Sequence, residues 1–195
     1  MKAKIDKRKL VFLVSKGIST EDLNKYYDYS SITDMSYLFA GFKSIKSIPL
    51  IDTSNVTNMR YMFSGCKSLK TIPSLDTSKV TDMKYMFKGC HSLETIPLID
   101  TLGVTTFFAM FSRCKSLKEV PLLNTSNAIS MKWMFNECHS LVTIPDIDTS
   151  KVTDMNFMFK GCNNLINIDP YNFELYDFSN IKNELFRKKY PELFI

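Results

Sequence analysis

The sequence predicts an α/β solenoid in which each 24-residue coil carries one short helix and one short parallel strand, with a cap at either end. Three columns of residues predict it. Phe39, Phe63, Phe87, Phe111, Phe135 and Phe159 recur every 24 residues. Cys66, Cys90, Cys114, Cys138 and Cys162 keep the same step, each three residues after a Phe, with Phe42 in the first slot. Pro49, Pro73, Pro97, Pro121 and Pro145 form the third column. No insertion disturbs the phase between residues 32 and 168, so six units stack as coils of one array, the first and last partly degraded.

Within a coil, the unit reads DTSxVTxMxxMFxGCxSLxxIPxL. Val56, Met59, Met62, Phe63 and Cys66 fall on one face at 3.6 residues per turn, which predicts a short helix. Thr57 or Asn58 is placed to cap its start, and Gly65, Gly89 and Gly161 lie near its end, where a left-handed residue is wanted. Residues 68–72 have the length of one short strand, stopped by Pro73. Asp-Thr-Ser then suits a turn closed by side-chain hydrogen bonds to the backbone. The ends depart from the repeat. Residues 1–31 read as an N-terminal cap with a helix that starts near Ser19 and runs to about Tyr27. Residues 169–195 read as a helical C-terminal cap, with Ser179 as N-cap, Ile181, Leu185 and Phe186 on one face and Pro191 beyond.

Composition agrees with a folded chain: 45 % apolar residues and a mean hydropathy of -0.09 are too apolar for disorder. A net charge of +5 is too mild to imply a nucleic-acid binder by itself. The basic N-terminus leads into an apolar run of only Leu10 to Val14, short of the roughly 7–15 residues of a secretory signal. No stretch reaches the ~18 apolar residues of a membrane span. The odd number and uniform spacing of the cysteines point to reduced thiols. A cytoplasmic location is therefore expected, with export by a non-classical route as the alternative.

The run TSNVTNMRYMFSGCKSLKTIP at residues 53–73 resembles the repeat of BspA-like leucine-rich-repeat surface proteins. The resemblance extends over the six units and implies a leucine-rich-repeat-like solenoid. Members of that family are mostly described as bacterial surface or host-contact proteins with varied or unknown partners.

The residues that carry chemistry read mainly as structure. The cysteines share the apolar face with Phe and Met and include no CxxC pair, so they are expected to be inert core rather than metal ligands. Cys90-His91 and Cys138-His139 resemble a nucleophile beside its base, but neighbours in sequence point apart, and the histidines share a variable column with Lys43, Lys67, Lys115 and Asn163. The Asp column, Asp52, Asp76, Asp100 and Asp148, is explained by turns. No metal, cofactor or catalytic residue is assigned, and the chain is read as a non-enzyme.

Two surface columns remain. Tyr37, Tyr61, Tyr85, Ala109, Trp133 and Phe157 occupy one outward position, aromatic in all but one coil, and read either as a structural ladder or as a binding stripe. Lysines flank it: Lys43, Lys67 and Lys115, then Lys46, Lys70 and Lys118, together with Arg60, Lys84 and Lys132. The expected function is a rigid, non-catalytic surface for a protein partner. Its centre is expected at residues 102–109 and 127–133, where Leu102, Phe108 and Trp133 put apolar groups in slots that are otherwise polar, joined by Tyr61, Tyr85, Phe157, Lys84 and Lys132. Phe108 is equally placed to stand in for the aromatic missing at Ala109. The alternatives are an anionic polymer, nucleic acid or acidic glycan, held by the lysine stripes, and an adhesin-like surface protein.

Overall fold

Each coil solves one problem: where its backbone N–H groups go when the chain must also bond to the coils on either side. In a computed structural model, which describes residues 2–173, 176, 178 and 184–194, the second coil (residues 52–75) shows the solution. The amides of Met59, Tyr61, Phe63 and Gly65 donate to the carbonyls of Asp82, Lys84, Met86 and Lys88 in the next coil at 2.7–3.0 Å. The amides between them turn inward: Met62, Ser64 and Cys66 donate three residues back, to Met59, Tyr61 and Phe63. Alternate residues thus serve the stack and the coil.

This pattern replaces the expected helix. An α-helix spends every interior amide on its own i−4 carbonyl and leaves none for a neighbour. Here Tyr61 (φ 57°) and Gly65 (φ 76°) are left-handed and break the helical run, while the inward spacing of Val56, Met59, Met62, Phe63 and Cys66 is kept, all of them buried. The expected strand also shrinks. Within the repeats, parallel pairing among the described residues consists of single-residue bridges, Asp34 to Asn58 to Asp82 and Thr106 to Ser130 to Asp154, with Thr143 to Asn167 alone near the expected strand. Leu69 donates back to Cys66, which pulls residues 68–72 out of a continuous strand.

The turn after the proline is built as the sequence predicts. Asp52, Asp76 and Asp148 accept from the amides of Ser54, Ser78 and Ser150 at 2.9–3.0 Å. Between them, the buried Thr53, Thr77, Thr101 and Thr125 donate Oγ1 to the carbonyl 23 residues on. Inside the stack, the Phe rings lie face to face, 5.4–5.9 Å apart from Phe39 to Phe159. Beside them each cysteine thiol donates to the carbonyl of the Phe 27 residues earlier, at 3.0–3.1 Å. Burial pushes the Cys66 thiol up to about 12, and those of Cys114 and Cys138 well above the usual range. All five thiols are buried in the core, as their place on the apolar face leads one to expect.

The first residues extend the same register. Strand β1 (Ala3–Lys4) pairs in parallel with β2 (Tyr27–Asp28), Ala3 opposite Tyr27 and so one repeat period before it. Gly17 likewise stands one period before Gly41 and shares its positive φ. Two helices occupy this unit. α1 (Lys7–Ser15), which the repeat pattern does not announce, starts where the Asp6 carboxylate accepts from the Lys9 amide and buries Leu10 and Val14. α2 (Thr20–Tyr26) starts where Ser19 accepts from Asp22, as predicted, and buries Leu23. At the other end, the hydroxyl of Tyr176 accepts from the Phe159 amide, which has no further coil to serve, and Tyr190 donates to the carbonyl of Ile168. A short α3 (Glu184–Lys189) buries Phe186 but leaves Leu185 exposed, so the two do not share the inward face expected of them. The expected N-cap Ser179 and Ile181 lie outside the described residues.

Candidate interaction surface

The outward aromatic column sits on left-handed residues: Tyr37, Tyr61, Tyr85, Ala109, Trp133 and Phe157 all have φ between 52° and 60°. That conformation costs an L-residue about 1–2 kcal/mol. In the first five of these it aims the amide at the next coil, and in the aromatic ones it sends the ring along the stack. One net hydrogen bond (about 0.5–1.5 kcal/mol) and one aromatic contact (about 0.5–1.5 kcal/mol) together offset the strain.

Ring geometry separates this column into two parts. Tyr37, Tyr61 and Tyr85 stack nearly parallel, with centroids 4.7 and 4.3 Å apart. Both faces of Tyr61 are therefore covered, while Tyr37 at the end of the column stays 56 % exposed. Where Ala109 interrupts the column, Phe108 brings its ring across from the preceding position, 5.1 Å from Tyr85 and 5.3 Å from Trp133, tilted by more than 60° to each. Phe108 is partly buried and completes the ladder, which is the substitute role its position allowed. Trp133 then stacks on Phe157 at 6.4 Å, and both keep about two fifths of their surface exposed.

The flanking cations lie close against these rings. Arg60 is 5.3 Å from the Tyr61 centroid, Lys88 5.1 Å from Tyr85, Lys132 5.6 Å from Trp133 and Lys160 5.3 Å from Phe157. Lys84 and Lys132 are further held by carboxylates, with Nζ 3.3 Å from Asp82 and 3.5 Å from Asp154. In the outer stripe Lys70 reaches Glu94 at 3.8 Å. His91 sits between Lys67 and Lys115; partial burial, then those cations and Arg113, hold its pKa below the usual value. His139 instead pairs with Glu137 at 3.2 Å.

Sequence reading missed a second apolar feature. The residue after each repeat proline is Leu50, Ser74, Leu98, Leu122 and Asp146. Leu98 and Leu122 are 69 % and 63 % exposed, and they line a groove of about 510 Å³ with Asp100, Asp146 and Asp148 around it. The signal was present as the variable letter of IPxL. Leu102 stands just beyond, 53 % exposed, its amide still donating to Asp100 Oδ1, so a Ser-to-Leu change leaves the turn intact. Ile129, also exposed, follows on the next coil. The same two coils hold Arg113 and Glu137 in the left-handed slot that Gly fills elsewhere.

Comparison with known proteins gives this surface its setting. The family model described as "Mycoplasma protein of unknown function, DUF285" matches residues 9–121 and 93–189. The chain belongs to the DUF285 family. No curated protein matches it. Among solved structures, a leucine-rich repeat protein from Eubacterium ventriosum covers 73% of this DUF285 chain and 36% of its own, at 23% identity and a TM-score of 0.50. A leucine-rich repeat protein of T. pallidum covers 77% of each chain at 20% identity and a TM-score of 0.44. A leucine rich cell surface protein from Faecalibacterium prausnitzii covers 64% of this chain and 36% of its own, at 23% identity and a TM-score of 0.37. The DUF285 chain thus spans about a third of the length of the first of these, 36%. The resemblance to BspA-like leucine-rich-repeat proteins holds for family and for the solenoid fold. Among the described residues, no helix is long and apolar enough to cross a membrane.

Proposed function

We propose that the chain is a non-catalytic interaction module whose fourth and fifth coils (residues 100–147), with the adjoining Leu98, hold a protein partner. The leucine-rich-repeat fold suggests an interaction or surface-protein role. The observation that carries the finer reading is the concentration of exposed apolar side chains in that stretch: Leu98, Leu102, Leu122, Ile129 and Trp133. Patches of this kind anchor interfaces. A stack tied by several backbone amides per coil is already ordered, so little conformational entropy is lost when a partner settles on it. Strain supports the same location, because Arg113 and Glu137 keep a left-handed backbone that Gly would adopt freely.

The non-catalytic part of the reading is supported by the thiols. Cys90 and Cys138 are buried and already donate to backbone carbonyls, so neither thiol is offered to His91 or His139 as a nucleophile. Burial of five thiols also supports a reducing, cytoplasmic setting. Residues 1–31 and 169–195 are proposed to close the ends of the stack.

A second reading, an anionic polymer on the lysine stripes, draws on the cationic surroundings of His91. Base stacking would have to do without the faces of Tyr61 and Tyr85, which neighbouring rings cover. Salt separates the two. Binding to a partner isolated by affinity capture is expected to change less than tenfold between low and physiological salt. A fall by several powers of ten would instead mark neutralised phosphates or sulfates and sink the protein-partner reading.

A further inference from the structure

The net charge of the chain is unevenly placed. Up to and including Lys16, the cations Lys2, Lys4, Lys7, Arg8, Lys9 and Lys16 face a single carboxylate, Asp6. Setting these six aside from the 25 Lys and Arg, and Asp6 from the 20 Asp and Glu, leaves nineteen cations and nineteen carboxylates in the rest of the chain. The whole net charge of +5 therefore belongs to this N-terminal segment.

Helix α1 sorts these groups. Leu10 and Val14 are buried in the hydrophobic core. Arg8, Phe12 and Lys16 follow one another at steps of four, and Lys9 lies three before Phe12, which puts all four on the opposite face. Phe12 is 50 % exposed, with the ammonium groups of Lys9 and Lys16 5.1 and 5.7 Å from its ring centroid. The neighbouring carboxylates are engaged elsewhere. Asp34 holds Lys7 at 3.2 Å, and Asp6 caps the helix through the Lys9 amide. Asp28 is held below the usual carboxylate range by hydrogen bonds from Ser30, with Lys4 and Lys2 adding to this. On α2, Asp22 accepts from the Ser19 hydroxyl, and the first-turn Glu21 and Asp22 are followed by Lys25 in the last turn. Among the described residues, Arg8, Lys9 and Lys16 make no ion pair within 4.0 Å.

We propose that this face of α1 docks on an anionic lipid surface, with the Phe12 ring at the acyl boundary and Arg8, Lys9 and Lys16 on the headgroup phosphates. A bilayer offers anions above hydrocarbon, the order in which cationic tips and an aromatic ring are arranged here. Juxtaposed cations gain from the negative surface potential, and one ring adds apolar burial without a shaped pocket. The association is weak and reversible. It does not rest on the partner surface of the fourth and fifth coils.

Sedimentation of the intact chain with vesicles of phosphatidylcholine alone, and of phosphatidylcholine with phosphatidylglycerol, tests this. Binding is expected only to the anionic vesicles, weaker by about fivefold for each of Arg8→Gln, Lys9→Gln and Lys16→Gln and by about tenfold for Phe12→Ser. All four positions are exposed, and circular dichroism is expected to show an unchanged fold. A Phe12→Trp, Trp133→Phe double variant adds a direct readout, since its single indole emission should shift to the blue on anionic vesicles. Equal binding to both vesicle types would overturn the proposal. So would anionic binding that Phe12→Ser leaves unchanged and soluble polyglutamate abolishes, because the site would then serve acidic polypeptides.

Discussion

Deletion of residues 76–99 is expected to leave a folded, shorter solenoid, whereas deletion of residues 76–87 is expected to leave no cooperative fold. The longer cut removes one period and joins Leu75 to Asp100, which stands where Asp76 stood. The amides of Met59, Tyr61, Phe63 and Gly65 then lose the carbonyls of Asp82, Lys84, Met86 and Lys88 but meet those of Thr106, Phe108, Met110 and Ser112 at the same places in the coil. Phe63 stacks on Phe111 instead of Phe87. The shorter cut shifts everything after Leu75 by half a coil. Inward Met, Phe and Cys would then lie against turn residues, and the amides of Met59, Tyr61, Phe63 and Gly65 would no longer face the carbonyls that serve them. Circular dichroism, gel filtration and urea unfolding measure the difference. The full-period deletion should unfold in one transition with a smaller m-value, because less surface is exposed. Similar behaviour of the two deletions would contradict the stacking account.

Replacing Leu98, Leu102 and Leu122 together by Ser is expected to weaken binding of the isolated partner by about 2 kcal/mol, or roughly thirtyfold. These side chains are 53–69 % exposed and lie on turns whose backbone bonds they do not make, so stability should stay within about 0.5 kcal/mol. Phe108 is a poorer probe. Its contacts with Tyr85 and Trp133 make it part of the ladder, and Phe108→Lys should cost about 1–2 kcal/mol of stability before any effect on binding. Full affinity in the triple variant, with its fold intact, would remove the groove from the partner surface.

The stacking was legible because inward residues repeat at fixed steps, and burial follows directly from that: Met59, Met62, Phe63 and Cys66 are all fully buried. What the spacing did not reveal was the backbone between them. Steps of 3, 3, 1 and 3 fit a helix and also fit successive three-residue turns, and only the left-handed residues decide between the two. Gly65 signalled one such position; Tyr61 concealed the other, since a Tyr there is tolerated only through bonds to the next coil. The Asx turns were legible because Asp and Ser two residues apart determine them locally. Helix α1 was obscured because its charged exposed face reads as the start of a leader. The Leu98 and Leu122 groove stayed hidden because those residues sit beside the inward Ile99 and Leu123, and sequence alone does not tell which leucine of such a pair turns outward.

Hydrogen exchange of the chain with and without its captured partner tests the functional account most directly. Amides from residue 98 to residue 133 are expected to slow on binding, those of Leu102 and Ile129 among them, while the first two coils and α1 exchange as in the free protein. Slowing confined to the lysine columns around Lys43, Lys67 and Lys70, or to α1, with the fourth and fifth coils unchanged, would contradict it.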